Sequence, residues 1–190
     1  MKTLIAWMGM VVFGAGLTAF GQAMPKPEPQ RTVTQVLDRA LTNVEREIVP
    51  AAEVMPEDKF DYAPTDGEFK GVRTYAQQIK HVAATNYEIG AAMLQVKSPV
   101  EIGDDEAGPA SIKTKAEIIQ FLKDSFAYLH KAVATITPQN QVESLKSPWG
   151  QSTVTRLGLT TLIVGHCFDH YGQMVVYLRH NGIVPPASKM

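Results

Sequence analysis

His166 and His170 lie four residues apart in the run His166-Cys167-Phe168-Asp169-His170. On a helix that spacing places two imidazoles on one face, about 6 Å apart along the axis. Rings so placed can converge on one ion at nitrogen–metal distances of about 2.0–2.1 Å. Leu159, Leu162, Gln173 and Tyr177 fall within about 40° of the two histidines, so both rings point where a core should be. An interior histidine is ordinarily a neutral ring satisfied by a carbonyl or a carboxylate. Two on one inner face each need a buried partner, unless a single metal ion serves both.

A third ligand would decide between these readings, and spacing offers two candidates. His81 sits about 100° from the middle of the apolar stripe of its helix, at the rim of a cleft, and His130 about 70° off the stripe of another. Spacing alone does not choose between them. His180 closes the last helix and is expected to be solvated or to act as a charge partner of that helix end. Glu88 lies two turns beyond His81, too far for the same ion. The position after His166 is Cys167 rather than glutamate, so the general base of HExxH metalloproteases is missing. Cys167 projects about 100° from His166, which makes it a poor ligand and a good small buried apolar residue. Asp169 is better placed as an outer hydrogen-bond partner to an imidazole.

Four helices are predicted to position these residues. Val33, Val36, Leu37, Leu41, Val44 and Ile48 recur at three- and four-residue spacing, which predicts a helix over 32–49 stopped by Pro50. Tyr75, Ile79, Val82, Ile89, Met93 and Val96 mark a second over 72–96, ended by Ser98-Pro99. Ile119, Leu122, Phe126, Leu129, Val133 and Ile136 mark a third over 113–137. The fourth is expected to start near Ser152 or Thr153 and run to His180, with Gly182 in the left-handed position after it. Residues 98–112, with Asp104-Asp105-Glu106, read as a solvated crossover. No alternating run flanked by tight turns predicts a strand, so the fold class is all-α, a four-helix bundle over 32–186 with a short tail at 187–190.

Met1-Lys2-Thr3, the uncharged apolar run Leu4 to Phe20 and Gly21-Gln22-Ala23 have the order of a signal peptide, residues 1–23, followed by a Pro-rich linker over 24–31. The expected destination is periplasmic or extracellular, with no stable membrane association after cleavage. Retention as an uncleaved anchor is the competing reading, disfavoured by the glycines at 9, 14, 16 and 21. The formal net charge is −1, and loss of Lys2 takes it further from the basic excess that a phosphate backbone requires, so nucleic acid is not an expected partner. Cys167 is the only cysteine, so no internal disulfide can form.

Taken together, His81, the pattern His166-x-x-x-His170-x-x-Gln173 and the tail Val176-Tyr177-Leu178-Arg179-x-Asn181-Gly182-Ile183-Val184-Pro185-Pro186 resemble the DinB/YfiT-like metalloprotein superfamily. Met55 to Pro64 is similar to the segment that this family places between its first two helices. The resemblance implies an up-down-down-up bundle with a three-histidine site for zinc, nickel or a similar ion, and it selects His81 over His130. It implies open coordination positions where a carbonyl is polarised or a water acidified to a pKa of about 7. Family activities range from thiol-dependent transferases and isomerases through metal-dependent hydrolases to none known, so the reaction stays open between a metal-dependent hydrolase or transferase on a small-molecule substrate and a non-catalytic binding bundle. Export would separate the protein from a cytosolic thiol and counts against thiol transfer. A homodimer is compatible with the resemblance.

Overall fold

In the computed structural model, residues 30–189 are described; the expected signal peptide, most of the linker and Met190 of the tail lie outside them. Four helices carry the fold: α1 (Val33–Val54), α2 (Tyr75–Leu94), α3 (Lys115–Ala134) and α4 (Arg156–His180). Threonine starts each one. The hydroxyls of Thr32, Thr74 and Thr114 accept from the third helical N–H while Gln35, Gln77 and Glu117 reach back to the cap, and Thr155 accepts from Gly158 N. These caps satisfy N–H groups that a helix start leaves unpaired.

α2 and α3 are each two or three residues shorter at both ends than the spacing predicts, and two other boundaries differ for identifiable reasons. α1 runs through Pro50 to Val54, because Ala51, Ala52 and Met55 are fully buried beyond the proline. The Lys115 ammonium also donates to the carbonyls of Glu53 (2.8 Å) and Met55 (2.7 Å), closing that helix end. Packing and a cationic cap thus outweigh the hydrogen bond that proline forfeits. α4 starts later than expected because Thr153–Val154 pairs antiparallel with Leu145–Lys146, forming strands β2 and β1. Two-residue strands are too short to show a period. Gly182 takes the expected left-handed conformation, φ 72°.

Side-chain contacts fix the direction of each helix. Thr34 meets Ile136, Asp38 meets His130 and Glu53 meets Lys123, so α1 and α3 are antiparallel. Asn86 meets Ser125, and Gly90 lies against Tyr128 and Leu129, so α2 and α3 run in the same direction. Gln78 meets Gln173, Asn86 meets Cys167 and Met93 meets Arg156, so α2 and α4 are antiparallel. With α1 packed on α3 and α4, the order is up-down-down-up. Leu41 and Ile48 of α1, Ile79 and Ile89 of α2, Leu122 and Phe126 of α3, and Ile163 and Met174 of α4 meet in one core. Among the described residues no helix is long and apolar enough to cross a membrane.

The buried stripe of α4 is rotated from the expected one. Ile163, Cys167 and Met174 form its centre, Leu162 is 47% exposed, and the two histidines stand at the edge that faces α2. The acidic segment is solvated as expected at Asp104 and Asp105, while Glu106 is half-buried. Asp104–Glu106 forms a 3-10 turn packed on α2, with Asp105 and Glu106 at φ 52° and 50°, a left-handed conformation that costs non-glycine residues about 1 kcal/mol or more.

Candidate metal centre

α2 contributes His81 and α4 contributes His166 and His170. The Nε2 of His166 lies 3.1 Å from the Nε2 of His81 and 3.1 Å from that of His170. One nitrogen from each ring falls within a sphere of contacts no wider than 4.8 Å. Nitrogens held about 2.0–2.1 Å from one tetrahedral ion stand about 3.3 Å apart, so the spacing suits an ion of that class. His81 and His170 are each 7% exposed, and His166 is half-buried.

The outward nitrogens are unequal. His170 Nδ1 lies 2.5 Å from Gln78 Oε1, whereas the buried Nδ1 atoms of His81 and His166 have no hydrogen-bond partner. Glu106 Oε2 approaches His81 Nδ1 at 3.9 Å. Three neutral imidazoles that crowd their inner nitrogens together and leave two outer ones unpartnered are poorly satisfied by protein alone. A cation accepting all three inner lone pairs would resolve the crowding, so the donor set fits a divalent metal.

Electrostatics favour the unprotonated rings. Burial, followed by the charge of His81, pushes His166 down to about 4, against a smaller opposing pull from Asp169. Burial, followed by the neighbouring His166 and His81 and then Arg73, pushes His170 down to about 3. His81 is lowered by burial and Arg73, with Glu106 opposing. Neutral imidazole is the form that binds metal, so the site is in its ligating state at neutral pH.

The other sequence candidates lie elsewhere. His130 lies between α1 and α3, with Nδ1 2.6 Å from Asp38 Oδ1 and Nε2 3.1 Å from Glu45 Oε2. Its two nitrogens face opposite carboxylates and join no other histidine. His180 Nδ1 is 3.1 Å from the Tyr62 hydroxyl at the surface. Glu88 accepts from the Trp149 indole at 2.9 Å. Cys167 is fully buried, its thiol raised by desolvation, in the structural role expected of it. Asp169 does not touch an imidazole. It accepts from Gln173, and the amide beside His170 is Gln78.

The sequence profile of the DinB superfamily matches residues 40–174, a span that contains all three histidines. The chain belongs to the DinB superfamily. Two solved structures have the same bundle. A conserved protein from Enterococcus faecalis is 16% identical, with a TM-score of 0.63 over 79% of this chain and 97% of that one. A DinB-like protein from Bacillus subtilis is 16% identical, with a TM-score of 0.59 over 77% of this chain and 92% of that one. Identity at this level shows the shared fold alone. No curated protein sequence matches the chain.

Within this DinB bundle, three residues near the histidines escaped the sequence reading. Gln78 stands one turn before His81 on α2, a spacing that could have revealed it. Arg73 precedes the helix and pairs with Asp105 at 2.6 Å, and Glu106 comes from the crossover; neither position carries a local signal.

Proposed function

We propose that this DinB bundle is exported and holds one divalent ion, zinc or nickel, through the Nε2 atoms of His81, His166 and His170, in service of hydrolysis or group transfer on a small molecule. The observation that carries the reading is the convergence of three ring nitrogens from two buried histidines and one half-buried one, two of the rings having no other hydrogen-bond partner. Export rests on the basic start, the apolar run and Gly21-Gln22-Ala23. An ion held by three imidazoles supplies Lewis acidity and makes a water acidic enough to ionise near neutral pH. The chain's own contribution is to bury the rings and set Arg73 beside them, which holds their nitrogens unprotonated.

A second reading is a site that binds metal without turnover. It is favoured by the placement of Glu106 and Asp169, which approach the outer nitrogens of the rings, directly or through amides, rather than the inner gap.

Metal quantification on protein recovered from its native compartment is expected to give about one equivalent of a divalent ion, matching one three-nitrogen site. The His81→Ala, His166→Ala, His170→Ala triple variant, still helical by circular dichroism, should bind none. Stoichiometric binding that survives in the triple variant would overturn the assignment. Turnover of an ester, amide or thiol-conjugate panel only when the metal is present separates the enzyme from the silent binder.

A further inference from the structure

We propose that Gln78, Gln173 and Asp169 form a polar chain that fixes the proton of His170 on Nδ1 and turns its Nε2 lone pair into the three-histidine gap. The consequence for metal binding rests on the reading above; the proton assignment does not. Three contacts link the groups in series. Gln173 Nε2 lies 3.0 Å from Asp169 Oδ2, Gln78 Nε2 lies 2.8 Å from Gln173 Oε1, and His170 Nδ1 lies 2.5 Å from Gln78 Oε1.

The polarity of this chain is set from its far end. A carboxylate offers only acceptors, so the group that Gln173 presents to Asp169 must be its NH2. That leaves the Gln173 carbonyl to face Gln78, which must answer with its own NH2. The remaining Gln78 carbonyl then faces His170 and can only accept. A neutral imidazole carries one N–H, so donation from Nδ1 leaves Nε2 as the bare nitrogen.

Location argues that the chain orients the ring rather than merely filling space. Gln78 is 2% exposed, so its amide has no water to substitute for a lost partner. Asp169 is exposed, and although its charge also acts through space on His166, its hydrogen-bonded link to His170 runs through the two amides. Of the three histidines, His170 alone has its outer nitrogen in a short side-chain hydrogen bond, so its direction is set before any ion arrives. Gln78, Gln173 and Asp169 are positioning residues for that ligand. Loss of such a partner typically lowers metal affinity about 10–100-fold.

The test is long-range proton–nitrogen correlation NMR on metal-free, histidine-ring-labelled protein, which reports which ring nitrogen bears hydrogen. Wild type should show His170 protonated on Nδ1. Gln78→Met, similar in volume and without hydrogen-bonding groups, should lose that preference. Gln78→Glu should restore it, because a carboxylate still accepts from Nδ1. Zinc titration should then show about 10–100-fold weaker binding for Gln78→Met, with recovery in Gln78→Glu. If Gln78→Met fails to fold, Asp169→Asn on the exposed face serves instead, since an amide there permits either polarity and should give a mixture of the two tautomers. His170 protonated on Nε2 in wild type, or unchanged on Nδ1 in folded Gln78→Met and Asp169→Asn, would overturn the proposal. The expected proton pattern together with no zinc binding by wild type would uphold the chain and sink the metal reading instead.

Discussion

His81 and His130 occupy comparable angles beside the apolar stripes of their helices, yet one ring points at α4 and the other at two carboxylates on α1. Residue types and helical spacing could pair His166 with His170 because both lie on one helix, where geometry is fixed by the 3.6-residue turn. They could not supply the partner from α2, because the choice depends on how far one helix slides and rotates against the next. The same gap hid Arg73 and Glu106, which come from the segment before α2 and from the connection between α2 and α3. The consequence is a clean comparison between two single substitutions. His81→Ala removes one nitrogen of the proposed site and should weaken zinc binding by more than about 100-fold, since even loss of a group behind a ligand costs about 10–100-fold. His130→Ala should leave zinc affinity unchanged and lower stability by about 1 kcal/mol through its two part-buried contacts. Competition against a chromophoric chelator measures the first effect and urea unfolding the second; equal zinc affinities in the two variants would reject His81 as a ligand.

At the level of elements, the helix positions were readable from apolar spacing, and the discrepancies cluster where another element supplies the stop or the continuation. Pro50 fails to end α1 because Lys115 of α3 caps the carbonyls beyond it, and β1–β2 delays α4 because a backbone ladder claims Thr153 and Val154. The parallel pair α2–α3 depends on a close approach at Gly90, where a Cβ would sit 2.9 Å from two ring carbons of Tyr128. Withdrawal of that ring would disturb its packing against Tyr87, with centroids 5.3 Å apart. Gly90→Val gains a little helix propensity and loses more to overpacking, so a net destabilisation of about 2 kcal/mol is expected. Because α2 also carries His81 and Gln78, the displaced helix should weaken zinc binding too. Denaturant unfolding alongside zinc titration checks both; a variant as stable as wild type would show that the tyrosine pair yields easily.

On the scale of the molecule, the up-down-down-up order matters because it sets α2 against α4 in opposite directions, bringing residue 78 to 173 and 81 to 166 and 170 across one cleft. Four amphipathic helices specify a bundle, but the order around it emerges only from long connections whose sequences carry no periodicity, so only the family resemblance anticipated that part of the fold. Burying three unprotonated rings in that cleft couples the stability of the metal-free protein to pH. His166 and His170 are held near 4 and 3 when folded and titrate near 6.5 when unfolded, so between those values the unfolded chain binds more protons. Stability is therefore fully present above about pH 7 and falls as pH drops from about 6.5 toward 4. Carboxylates contribute their own acid dependence, so the histidine part must be isolated by comparison. Chelator-treated wild type should lose melting temperature between pH 7 and pH 5 more steeply than His166→Gln, His170→Gln protein, whose amides do not titrate. Parallel melting curves for the two proteins across that interval would mean that the rings are not held neutral by the fold.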